Sequence, residues 1–268
     1  MRRKFGQSLR LGVAADGLAL LRVSGWPRAG TEALAVQPLE AGAPDALANG
    51  LRALLAEVEI RGWPLSVVLA DDLVRLWQVT PPQGAARMGD LQAAAALRYQ
   101  GLFGSLPAGW RISADWDAAR PFLAAAAPEA LLALLETLAR EHRFHLVEVA
   151  PQFVAAMNAW RRERRPGAWF GLVHGGVLSI AAYEGRALAA VRTAVIPDGA
   201  DRDWLEAHVA REALRVGVGR PERLQLCGAA PSNWASAAGR LKFACTLLED
   251  DSADWPLHVR LARTGIGQ

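Results

Sequence analysis

The chain has 268 residues, 52% apolar and 21% charged, the composition of a globular protein with an ordinary hydrophobic core. Its 30 Lys and Arg against 27 Asp and Glu leave a net charge of +3, which supplies little of the counterion-release energy a nucleic-acid binder needs. No window reaches the roughly 18 uninterrupted apolar residues of a membrane span, and the basic start MRRKFGQSLRLG lacks a signal peptide's apolar segment, so a cytoplasmic location is expected.

The first predicted elements are two short strands in RLGVAADGLALLRVSG (Arg10 to Gly25), hinged on Asp16-Gly17, a pair suited to a type I′ hairpin. EALAVQPL (Glu32 to Leu39) alternates like a third strand. Pro44-Asp45 opens an amphipathic helix with Leu47, Leu51, Leu54, Leu55 and Val58 on one face. After Gly62 and Pro64, LSVVLA is a continuous apolar run, the pattern of a strand buried on both faces. A further strand covers Leu73 to Pro81, and a helix follows from Asp90 to Phe103. GWRISADWD and FLAAAA read as strands, and Pro128 opens the leucine-rich helix PEALLALLETLAREHR. FHLVEVAP is a strand and QFVAAMNAWRRER a helix, in which the run Arg161 to Arg165 reads as a solvated helix end.

Past Pro166-Gly167 the programme starts again. Strands Trp169 to Val173 and Val177 to Tyr183 flank Gly175-Gly176, and RALAAVRTAVI makes a third. A helix from Asp203 to about Val216 leads to the strand RLQLCG, the helix SNWASAAGRL, the strand KFACTLL and the short helix PLHVRLAR. Cys227 and Cys245 lie in apolar runs and read as reduced core thiols. Hairpins that feed parallel strands and crossover helices make a mixed α/β sheet. Two such halves, 1–165 and 166–268, with a small inserted unit around 83–126, predict an internally duplicated actin-like (ribonuclease-H-like) fold of two mixed sheets flanked by helices.

Five segments carry a family resemblance: RLGVAADGLALLRV, LSVVLADDLVRLWQVTPP, FHLVEVAPQFVAAMNAW, WFGLVHGGVLSIAAYEGRALAAVR and RLQLCGAAP. Their order resembles the PilM/GspL branch of the actin-like superfamily, the cytoplasmic assembly proteins of type IV pili and type II secretion. The resemblance implies two phosphate-gripping turns, each with an acid beside Gly, Ser and Thr, and a Gly-Gly turn near the adenosine. Here Ala14 stands at the first acid's position, and no Ser or Thr lies between Leu9 and Val23. His174-Gly175-Gly176 lacks a neighbouring acid, and Gly228 is followed by Ala229 and Ala230. The expectation is therefore a pseudo-ATPase without catalytic residues, metal or cofactor. It would act as a scaffold that docks the cytoplasmic segment of a bitopic, PilN-like inner-membrane partner and is held at the membrane only through it. Self-association is left open. The alternative is a divergent ATPase or kinase that binds ATP and magnesium at Asp16, Gly17, Gly175, Gly176 and Gly228. A third reading is a general interaction domain with no secretion role.

Other candidates carry weaker signals. His142 and His145 form an H-x-x-H without a third ligand. Asp71-Asp72 and Glu249-Asp250-Asp251 read as solvated loop charges, and Ser105, Ser179 and Ser232 have no nucleophile context. Ten tryptophans against two tyrosines are an excess. Trp26, Trp63, Trp110, Trp116, Trp204, Trp234 and Trp255 fall at element ends, where two or three are expected to line a partner surface.

Overall fold

The computed structural model describes residues 6–25, 30–40, 42, 45–235, 243–249 and 255–266. The first half runs β1 (Gln7–Ala14), β2 (Gly17–Ser24), β3 (Gly30–Pro38), α1 (Ala46–Ala56), β4 (Pro64–Leu69), β5 (Arg75–Val79), α2 (Met88–Phe103), β6 (Trp110–Ala114), β7 (Phe122–Pro128), α3 (Glu129–Glu141), β8 (His145–Pro151) and α4 (Gln152–Ala159). The second runs β9 (Trp169–His174), β10 (Val177–Glu184), β11 (Ala187–Val195), α5 (Arg202–Val216), β12 (Arg223–Gly228), β13 (Ala244–Leu247) and α6 (Leu257–Arg263).

Each half builds one five-stranded mixed sheet, in the orders β3-β2-β1-β4-β8 and β11-β10-β9-β12-β13. In both, a meander of antiparallel strands is extended by two parallel ones. The duplication read in the sequence is thus a duplication of topology. β5, β6 and β7 form a separate antiparallel sheet in the order β5-β7-β6, whose core with α2 is Trp77, Val79, Leu91, Ala95, Tyr99 and Phe122.

Strand alternation assigns the layers. Leu9, Leu11 and Val13 of β1 join Leu51, Leu54 and Leu55 of α1 and Leu131, Leu135 and Leu138 of α3 in one core. The residues between them face the opposite layer, where α6 lies. Gly12 permits that approach, because a Cβ there would sit 2.8 Å from the Ala262 nitrogen. Ala19 and Leu21 of β2 complete the seat with Val259 and Ala262. In the second half, Trp169 and Val173 of β9 join the core beneath α5. Phe170 and Leu172 point to the other face and meet Phe153, Ala156 and Trp160 of the α4 segment. The first sheet therefore wears a helix supplied by the second half, and α4 packs on both sheets at once.

Several expectations change. The first hairpin turns on Ala15 and Asp16, with Ala14 paired to Gly17. Neither turn residue has positive φ, so the turn is not type I′, unlike the Gly175-Gly176 turn with φ of 56° and 73°. α4 stops at Ala159, and the arginine run lies beyond it, with Arg164 donating to the Tyr183 hydroxyl at 2.8 Å. The stretch after Pro231 is a single 3₁₀ turn, Ser232–Trp234, with Ala235 already extended; positions 236–242 lie outside the described residues. Trp26 and Asp250-Asp251 also lie outside them. Most tryptophans close the core: Trp63, Trp77, Trp169 and Trp234 are fully buried, Trp110, Trp116, Trp204 and Trp255 are half-buried, and no described tryptophan is exposed. Trp204 stacks on Trp234 and His208, and Trp110 and Trp255 lie under the guanidinium groups of Arg75 and Arg263. Exposed large apolar side chains are mainly aliphatic, among them Leu97, Leu106, Val147, Val195 and Leu214. Cys227 and Cys245 are free and buried in two different cores, on opposite faces of the second sheet.

Candidate functional site

The two hairpin turns face each other across a cleft of about 560 Å³. Asp16, Asp71 and Asp72 line it from the first half, His174, Gly175 and Ser179 from the second, and Leu257 and His258 from α6. A smaller cavity of about 270 Å³ adjoins it. Gln152, Leu172 and His174 line both, and Gly228, Glu249, Arg260 and Arg263 line the smaller one. The fold therefore gathers Asp16, Gly175 and Gly228 around connected space. Gly17 and Gly176 belong to the same turns but do not line it.

The cleft's chemistry departs from that of a nucleotide grip. Ala14, where an acid would hold magnesium, is packed among Val68, Ala70 and Leu261. Gly17 is glycine for space, since a Cβ on it would collide with the His258 imidazole, nearest at Nε2. That imidazole sits with Nδ1 3.8 Å from Asp16 Oδ1. At the third turn the Gly228 N–H donates to Glu249 Oε2 at 3.1 Å, and Glu249 Oε1 accepts from the Trp160 indole at 3.3 Å. A side chain of the protein thus takes the backbone donor that an adenosine-side turn would offer. Gly228 itself has φ of 76°, and a Cβ there would collide with the Val173 carbonyl. Among the described residues, no three His, Cys, Asp or Glu side chains converge as a metal site. His142 caps the end of α3 and His145 is exposed at the start of β8. These residues do not fit a magnesium–nucleotide complex.

Asp71 is not the solvated loop charge expected from sequence. It stands just past the carboxyl end of β4, where open α/β sheets place their functional groups. Its Oδ1 accepts the Phe153 N–H at 3.1 Å, at the start of α4, and its Oδ2 faces the Ser179 hydroxyl on β10 at 3.4 Å. One carboxyl thereby links the two halves. Burial raises its pKa to about 7 against the opposing pull of these hydrogen bonds, with the Asp72 charge adding to the rise. Burial also raises Asp72, with Asp16 contributing. Across the cleft, burial lowers His174 to about 4, helped by His258 and Arg260 and opposed by Asp16. At neutral pH its imidazole is uncharged. The legible signal for Asp71 was position alone, an acid ending a doubly buried strand. His258 carried no signal, because its role depends on where α6 docks.

A second concavity lies outside the cleft. An apolar groove of about 240 Å³ runs between the two sheets of the first half, with Leu69, Ala126, Leu132, Leu146, Val149 and Pro151 along it. Both flanking strands, β6 and β8, are sheet edges. Arg111 and Glu136 pair at 2.8 Å on its rim.

The duplicated topology and facing turns define an actin-like fold. The fold matches the cytoplasmic domain of EpsL, an inner-membrane component of the type II secretion system of Vibrio cholerae, at a TM-score of 0.57 and 14% identity, over 97% of this chain and 94% of that one. A chain of a PilM–PilN type IV pilus biogenesis complex matches at 0.55 and 18% identity, over 83% and 81%. A Bacteroides thetaiotaomicron protein of actin-like ATPase fold and unknown function matches at 0.57 and 9%, over 85% and 84%. No family model and no curated protein matches the sequence. At these identities the likeness is one of fold.

Proposed function

We propose that this protein is a non-catalytic scaffold of a type IV pilus or type II secretion-like assembly platform. It comprises two actin-like halves, 1–165 and 166–268, with an inserted unit around 83–126. The observation that carries the reading is a cleft built on the actin-like plan whose phosphate side presents Asp16, Asp71 and Asp72 together with His174 and His258, and no lysine or arginine. Carboxylates facing a triphosphate repel it to the extent that they are ionised, unless a bound cation intervenes. The fold shared with EpsL and with a chain of the PilM–PilN complex supports the assembly-platform setting. The partner is a bitopic, PilN-like inner-membrane protein whose short cytoplasmic segment lies extended in the apolar groove between β6 and β8. Its apolar side chains bury against Leu132, Leu146 and Val149, and the edge strands offer backbone partners. The protein then works in the cytoplasm and is held at the membrane through that segment.

The test is thermal unfolding with and without millimolar ATP and magnesium, followed by titration with cytoplasmic segments of bitopic membrane proteins. Nucleotide at a hundredfold excess over its dissociation constant stabilises a fold by about 2.7 kcal/mol, a shift of a few degrees at this size. No shift is expected, together with segment binding that Leu132→Glu abolishes. A magnesium-dependent rise would overturn the scaffold reading in favour of a divergent ATPase.

A further inference from the structure

The second half has a further pocket, which shares Thr193, Ala194 and Val195 with the cleft and adds residues of α5 that the cleft lacks. It has a volume of about 360 Å³ and lies between α5 and β11, lined by Trp204, His208, Arg211, Glu212 and Arg215 and by Thr193, Ala194 and Val195. β11 is the edge strand of its sheet. Its register shows how the pocket runs. Arg192 pairs with Ile180 and Ala194 with Leu178, both residues of the core beneath α5, whereas Thr193 pairs with Ser179 and Val195 with Val177, which line the cleft. Residues pointing to opposite faces of one strand can line a single pocket only along its backbone edge. The pocket therefore follows the edge of β11 to which no strand of its own sheet is hydrogen-bonded, while β5 of the first half also packs against β11.

Its charge is positive. Arg211 and Arg215 line it with one acid, Glu212, which is 4% exposed and pairs with Arg215 at 2.9 Å and with Arg192 at 3.7 Å. Arg211 forms no salt bridge or hydrogen bond with any described residue, and it faces solvent. His208 is only 6% exposed, stacks on Trp204 with ring centroids 5.2 Å apart, and has no hydrogen-bond partner among the described residues. Its ring nitrogens are not sealed from solvent, so the imidazole can offer one N–H to an acceptor in the pocket. Val195 and Leu214, 77% and 78% exposed, stand on the two elements that frame the pocket.

We infer that this edge is a second docking site, which takes an acidic peptide segment in extended form, paired as a strand to β11 with a carboxylate seated between His208 and Arg211. Backbone pairing supplies affinity without sequence preference, the apolar rim takes an alternate side chain, and the carboxylate fixes the register. A scaffold with this site and the groove can hold two partners at once, one on each half.

The test uses a short peptide of alternating Thr and Val that ends in Asp-Glu with a free C-terminus, added at millimolar concentration to the isotopically labelled full chain. The expected result is a shift of the amide signals of positions 192–195 together with the ring signals of His208. Arg211→Glu should weaken binding by about tenfold or more, whereas Arg186→Glu, the same charge change in the exposed β10–β11 turn, should not. The Asn-Gln peptide amide should bind as weakly as the acidic peptide does to the Arg211 variant. Three results would overturn the proposal: no shift of the β11 amides, equal binding of the neutral peptide, or the same shifts from acetate alone. The His208 ring signals and the Arg211 variant report on this pocket and not on the cleft or the groove, so they separate it from both.

Discussion

Two buried titratable groups face the cleft with opposite pH behaviour. Asp71 is raised in the folded protein, so its contribution is fully present below pH 4 and is lost as pH rises to about 7. His174 is lowered, so its contribution is present above pH 6.5 and is lost as pH falls toward about 4. Between pH 4 and 6.5 the two slopes oppose each other. Melting temperature measured against pH should therefore separate them. Asp71→Asn, which keeps an acceptor for the Phe153 N–H, should gain several degrees over the parent at pH 8 and lose that advantage near pH 4. His174→Gln should gain most at the acid end. An Asp71→Asn difference that does not change with pH would mean that folding leaves the carboxyl's pKa where it is in the unfolded chain. The apolar runs around both residues were legible in the sequence. Their protonation was not, because desolvation depends on which elements close over a group.

Elements carry the clearest match between sequence and structure, and also the clearest failure. LSVVLA had the unbroken apolar pattern of a strand with neighbours on both sides, and β4 lies between β1 and β8. Leu51, Leu54 and Leu55 had helical spacing, and α1 buries them. Asp16-Gly17 had the chemistry of a tight turn, yet the turn sits one residue earlier and Gly17 serves a distant helix. A glycine chosen for space and one chosen for backbone freedom look alike in a sequence. The distinction has a measurable form. Gly17→Ala should cost roughly 1–3 kcal/mol in urea unfolding, and most of that loss should vanish when His258 is also alanine, a coupling that additive effects would refute. Gly12→Val should be worse, because its neighbour is the α6 backbone, 2.8 Å from the added carbon, and cannot swing aside.

For the whole molecule, the repeated strand–helix order made the duplication legible, since each half's three antiparallel strands and later parallel strands follow one hydrophobic grammar. What the sequence left unread was the sharing of helices between halves: α4 packs on β4 and β8 of its own half and on β9 of the other, and α6 returns from the second to cover β1 and β2. Periodicity records that a face is apolar and says nothing of which sheet receives it. With Asp71 bridging the halves as well, the chain should unfold as one unit. Calorimetric and van't Hoff enthalpies should agree, and two resolved transitions would show that the halves are independent. The sharing also imposes an order in time. At a synthesis rate of about 5–20 residues per second, the ribosome takes on the order of ten to fifty seconds to pass from β2 to α6. Through that interval Ala19 and Leu21 lack the cover of α6, so the nascent first half is a natural client for chaperones until the last of the described helices emerges.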